Sequence, residues 1–176
     1  MMSRSPLSPY DLVVGAVAGA TGTFAMDVLL YRRHRREGGR AGFIDWERSP
    51  TTRSFDDAAA PAQVGRRLAR SVGVEIPPRF AGTTNSVVHW TTGVTWGVTG
   101  GAVAAVSGIA VVPVGIAVGL AAFVTSYAVL VPSGIYKPIR EYDAETLSRD
   151  ASAHALYGTV CGLALAALQT ARAAGH

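Results

Sequence analysis

The chain has 176 residues, 49% of them apolar and only 8% aromatic, and carries a formal net charge of +4. That length suits one domain. Charged residues nearly vanish from windows 12–31, 83–107, 108–136 and 151–171, which argues against a water-soluble core, and the single cysteine, Cys161, excludes a disulfide framework or a cysteine metal cluster.

A transmembrane helix needs about 20 predominantly apolar residues to cross the hydrocarbon layer, and each window meets that. The expected fold is therefore all-α: a polytopic membrane protein of one domain, with four transmembrane helices at about 11–31, 84–107, 111–132 and 151–171.

The first span opens Val14-Gly15-Ala-Val-Ala-Gly19 and contains one charged residue, Asp27. Its apolar stretch is too long for a signal peptide, and its cationic cluster follows rather than precedes it, so it reads as a retained anchor. Arg32, Arg33, Arg35 and Arg36 come next, suited to stopping translocation and touching anionic headgroups. The loop 32–83 holds most of the chain's basic residues, whereas only Arg4 and Arg172 fall on the other side of four crossings. The positive-inside rule places this loop in the cytoplasm and both termini outside.

Six acids share the loop (Glu37, Asp45, Glu47, Asp56, Asp57 and Glu75) and dilute its field, so no nucleic-acid partner is expected. Trp46, with Phe43 and Ile44, reads as an interfacial anchor. Ser54 is placed to cap a helix over about 55–72, with Val64, Leu68 and Val72 at fourfold spacing and Arg66, Arg67 and Arg70 on the remaining surface. Such an amphipathic helix would lie along the cytoplasmic interface or dock onto a partner protein.

The second span carries His89-Trp-Thr-Thr-Gly93-Val-Thr-Trp-Gly97, and the fourth carries His154-Ala-Leu-Tyr-Gly158-Thr-Val-Cys-Gly162. The third opens Val114-Gly115-Ile-Ala-Val-Gly119, an echo of the first. Spans one and three share one pattern and spans two and four another, as expected of two pseudo-repeated helical hairpins related by an axis along the membrane normal. Small residues four apart let helix backbones approach where lipid offers no hydrophobic drive. Gly15, Gly19, Gly93, Gly97, Gly115, Gly119, Gly158 and Gly162 are the expected packing positions. The acidic residues Glu141, Asp143, Glu145 and Asp150 read as the solvated face of the loop between spans three and four.

With this topology His89, His154 and Asp27 all lie near the cytoplasmic boundary and on packing faces. They can hold helix ends together, or form a proton-responsive or metal-binding cluster. No resident cofactor is expected; a metal ion or a bis-histidine haem between His89 and His154 is the other use of that pair. No phosphate-binding loop and no activated nucleophile is apparent.

The run AGATGTFAMD in span one, the loop segment APAQVGRRL and the two His-x-x-x-Gly spans together resemble the YagU-like family, small bacterial inner-membrane proteins of unknown function. The matching positions are His89, His154, Gly19 and Gly22. The resemblance implies a four-helix protein of the bacterial cytoplasmic membrane and assigns no reaction. The predominance of arginine over the lone Lys137 agrees with a GC-rich bacterial source. The expected function is thus a non-enzymatic structural or accessory subunit, or a homo-oligomer, in the lipid bilayer. The alternative is a small proton- or metal-responsive transport unit built on the histidine and aspartate residues.

Overall fold

Ser8 begins the helical part of the chain. Its side chain accepts the Asp11 backbone N–H, the Asp11 carboxylate accepts the Ser8 N–H at 2.9 Å, and Pro9 fills a first-turn position where no N–H is needed. The computed structural model describes residues 7–48 and 52–174, so Arg4 lies outside the described residues. Its helices are α1 (Pro9–Arg36), α2 (Phe43–Arg48), α3 (Ala60–Ser71), α4 (Ala81–Ser107), α5 (Val111–Leu130) and α6 (Ala144–Ala174). The described residues contain no strand. Helices α1, α5 and α6 are long and apolar enough to cross a membrane.

The four long helices form a bundle in the spatial order α4, α1, α6, α5, closed by α5 against α4. Neighbours run antiparallel. Gly101 lies by the Asp11 carbonyl and Gly93 by Thr23, which sets α4 against α1 head to tail. Tyr10 donates to the Leu168 carbonyl at 3.3 Å at one end of α1, and Arg33 donates to the Arg149 carbonyl at 2.7 Å at the other, which does the same for α6.

Two seams are closed at backbone distance. A Cβ added at Gly19 would stand 2.6 Å from the Gly93 carbonyl oxygen, and one at Gly15 would stand 2.8 Å from that of Gly97. In the second seam a Cβ at Gly115 would reach 2.5 Å from Gly162 Cα, and one at Gly158 would reach 2.5 Å from the Gly115 carbonyl. No side chain fits at these crossings, so main-chain dispersion contacts do the work that hydrophobic burial does in water. Met26, Val114, Val118 and Tyr157 fill the space between the seams.

The helix of the loop 32–83 starts later than its sequence pattern suggests. α3 begins at Ala60, with no side-chain cap, and Ser54 instead accepts the Asp56 N–H in a local turn. Pro61 decides this: it is tolerated only in a first turn, so a helix from residue 55 would have to break there. The buried face of α3 is also the small one. Ala62 and Gly65 pack inward, with Gly65 against Thr84 and Val88 of α4, while Leu68 and Val72 stay exposed. Bulky residues on the inner face would hold α3 away from α4.

α1 continues past Tyr31 to Arg36, and α6 begins at Ala144 rather than near 151. Asp143 accepts the Thr146 backbone N–H at 2.6 Å, an N-terminal cap the hydropathy pattern does not reveal. Hydrogen bonds from the Thr146 backbone and side chain hold its carboxyl below the usual range. A depressed carboxyl stabilises the fold above its unfolded pKa, and that contribution is lost as pH falls through the folded value. Asp143→Ala is expected to fray the first turn of α6, seen as faster amide exchange at Thr146 near neutral pH, with the difference from the parent shrinking in acid.

Candidate functional site

Asp27 is the buried charge of the bundle, 2% exposed in α1. A carboxylate so placed needs a partner, and α4 supplies it: His89 Nε2 donates to Asp27 Oδ1 at 2.8 Å. The second carboxylate oxygen, Oδ2, is buried without a hydrogen-bond partner, as is Asn85 Oδ1 one turn before His89. Around this pair the glycine seam is tied by polar groups. Thr23 returns its hydroxyl to the Gly19 carbonyl at 2.9 Å, in the space a side chain at Gly93 would need, and Tyr157 of α6 donates to the Gly93 carbonyl at 2.6 Å. Glu47 of α2 accepts the Trp90 indole N–H at 2.8 Å and places a further carboxylate near His89.

His154 stands elsewhere. Its Nδ1 lies 3.1 Å from Asp150 Oδ1 on its own helix, and its ring packs edge-on against Phe123 of α5. The Tyr127 hydroxyl of α5 lies near the Asp150 carboxylate. The expected cluster of His89, His154 and Asp27 is therefore not assembled: the structure brings His89 to Asp27 and gives His154 a carboxylate of its own. Among the described residues no three His, Cys, Asp or Glu side chains are grouped to hold a metal ion. His89 faces a carboxylate across the α1 seam, and His154 one within α6.

The basic run at the end of α1 divides in the same way. Arg32 and Arg36 are exposed, whereas Arg33 reaches α6, donating to the Arg149 carbonyl and to Ser152 Oγ at 2.8 Å, and Arg35 donates to the Arg40 carbonyl at 3.1 Å. Trp46 is half-buried and makes tilted ring contacts with Tyr31, His34 and Phe43. Between α1, α2 and the start of α6 lies an open cleft of about 620 Å³, lined by Arg33, His34, Trp46, Arg149 and Asp150 among others. Arg149 also pairs with Glu37 across it.

Asp150, Tyr127 and Glu47 are the residues that sequence reasoning missed. Asp150 looks like one acid of a solvated loop; its signal is the fourfold spacing to His154, which has meaning only once α6 is known to start at Ala144. Glu47 acts across helices and leaves no local signal.

The fold and site define an all-helical protein with three helices able to cross a membrane and paired His–carboxylate contacts at one end of its bundle. Comparison with family models, with curated proteins and with solved structures returned no match for this chain.

Proposed function

We propose that the chain is a four-span protein of the bacterial cytoplasmic membrane that works without catalysis, as an accessory subunit or homo-oligomer. Both termini lie outside, the loop 32–83 lies in the cytoplasm, and the spans form two duplicated hairpins, α1 with α4 and α5 with α6. The YagU-like resemblance of the sequence motifs belongs to the same reading.

The observation that carries the fourth span is the inverted polarity of α4. Val87, Val103 and Val106 point outward, while Gly97, Gly100, Gly101 and Ala104 are buried. Large apolar groups outside and small ones inside is the order a bilayer favours. Two of the threonines that lower its hydropathy satisfy themselves: Thr95 donates to the Thr91 carbonyl at 2.8 Å and Thr99 to the Thr95 carbonyl at 2.9 Å. They bring no unpaired hydroxyl into lipid.

A non-catalytic role is supported by the full burial of Cys161 in the packed interior. A second reading, a proton-responsive element, is favoured by one observation: the carboxylate of Asp27 is buried with one oxygen unpartnered beside a histidine.

Orientation is tested with a cysteine at Ile109 or at Glu75 in a Cys161→Ala background. A membrane-impermeant thiol reagent added to intact cells is expected to label position 109 and not 75; the reverse pattern would sink the proposed topology. Light scattering of protein purified from native membranes in mild detergent is expected to show an assembly larger than the chain, and a bare monomer would count against the subunit role.

A further inference from the structure

The register that aligns Gly15 and Gly19 with Gly115 and Gly119, and His89 with His154, also aligns residues outside the glycine frames. Carried along α1 and α5, it sets Asp27 against Tyr127. Carried back one turn along α4 and α6, it sets Asn85 against Asp150.

In the first hairpin the carboxylate comes from the facing helix, as Asp27, and the position one turn before the histidine is the neutral amide of Asn85. In the second, the carboxylate occupies the position one turn before the histidine, as Asp150, and the facing helix supplies the neutral hydroxyl of Tyr127. Each hairpin thus holds one histidine, one carboxylate and one neutral polar side chain, with the carboxylate exchanged between the two places. What recurs is the pair rather than the residue supplying the acid, as a requirement for the pair itself would produce.

We propose that the protein carries two equivalent proton-binding sites, one per hairpin: Asp27 and His89 with Asn85, and Asp150 and His154 with Tyr127. This rests on the duplicated-hairpin reading above. The two sites differ in the setting of their carboxylates. Asp150 lines the open cleft, with its side chain 28% exposed, whereas Asp27 is 2% exposed; the two rings are both part-buried.

The charged surroundings also differ. His89 faces Asp27 from α1 and Glu47 from α2, while the nearby arginines of α3 are engaged elsewhere, Arg66 with Asp56, Arg67 with the Ser133 carbonyl and Arg70 with Glu75. His154 faces Asp150 on its own helix and the Phe123 ring from α5; Tyr127, next to Phe123, makes tilted and edge-on contacts with Tyr136 and Tyr142 of the connecting segment. From α1, Arg33 is held on the Arg149 carbonyl and Ser152. Burial, with Asp150 and Tyr142 nearby, pushes the Tyr136 hydroxyl up to about 12, so it stays a neutral neighbour.

The test is an imidazole ¹⁵N titration by NMR of the full chain in nanodiscs, with His→Gln variants assigning each ring. Two independent titrations are expected. Asp150→Asn is expected to move the His154 midpoint by about one unit, a tenfold change in proton affinity, and to leave His89 in place. Asp27→Asn is expected to do the converse. Asn85→Asp added to Asp27→Asn transplants the second hairpin's arrangement into the first and is expected to restore the parental His89 midpoint.

A His154 midpoint indifferent to Asp150→Asn, or an Asn85→Asp transplant that leaves His89 unrestored in a protein that still folds, would overturn the proposal. If Asp27→Asn is not recovered folded, the Asp150 arm decides alone. Thiol labelling reads topology separately: a wrong orientation there fails the four-span reading and leaves the titrations standing, while correct labelling with one shared titration fails the two-site proposal only.

Discussion

Gly97→Ala is expected to destabilise the protein by about 3 kcal/mol, the upper end of the usual range for overpacking. Gly100→Ala, one turn away on the same helix, is expected to be tolerated. The contrast lies in what each new methyl group meets. At Gly97 a Cβ would run into Gly19 Cα and stand 2.5 Å from the Gly15 carbonyl oxygen, both main-chain atoms of α1. Backbone cannot rotate away, so α1 and α4 must separate along the whole seam, and the Asp27 to His89 contact near its end is lengthened with them. At Gly100 the Cβ meets only Val118 Cγ2 at 3.2 Å, a side-chain methyl that can shift by a few tenths of an ångström. Unfolding in graded denaturing detergent, followed by tryptophan fluorescence, measures both variants. Equal stability of the two would show that the seam is looser than its backbone distances.

The second large effect is expected at the buried pair. His89→Ala leaves the Asp27 carboxylate without its partner in the interior, and removal of one member of a buried pair costs about 3–5 kcal/mol. Asp27→Ala strands a ring whose side chain is 24% exposed, so water offsets part of the loss and the lower end of that range applies. Asp27→Ala/His89→Ala is expected to be less destabilised than the sum of the single changes, because no charge is left stranded. The same unfolding assay, arranged as a double-mutant cycle, gives the coupling. Additive single effects would mean that the two side chains do not act as a pair.

The all-helical character and the places where backbones touch follow from short-range pattern. A glycine four residues from another marks a face on which nothing projects, and any neighbour that presents the same face can close on it. Gly15, Gly19, Gly93 and Gly97 do so in one seam, and Gly115, Gly119, Gly158 and Gly162 in the other. Asp27 and His89 were legible for a related reason: ionisable groups are scarce in apolar windows, so each stands out. That they meet was expected; that His154 stays apart from them was not legible, because sequence gives depth along a helix but not the rotation of one helix against another. Equal depth therefore made His154 look like a third member of the same cluster, when its ring is turned to Asp150 and Phe123. Helix ends escaped for a different reason. Hydropathy reports where apolar residues stop, whereas α6 starts where Asp143 caps it and α3 starts where Pro61 permits it.

The sequence by itself determined the helical class, the glycine seams and the scarcity of charge within the spans, since each depends on residues a turn or two apart. Only the tertiary structure decided which carboxylate each histidine faces, that Arg33 turns inward to α6 while Arg32 stays exposed, and that the inner face of α3 is its small-residue face. Those outcomes depend on the azimuth at which one helix meets another. Azimuth is set jointly by every side chain along a seam, and no local window of the chain contains it.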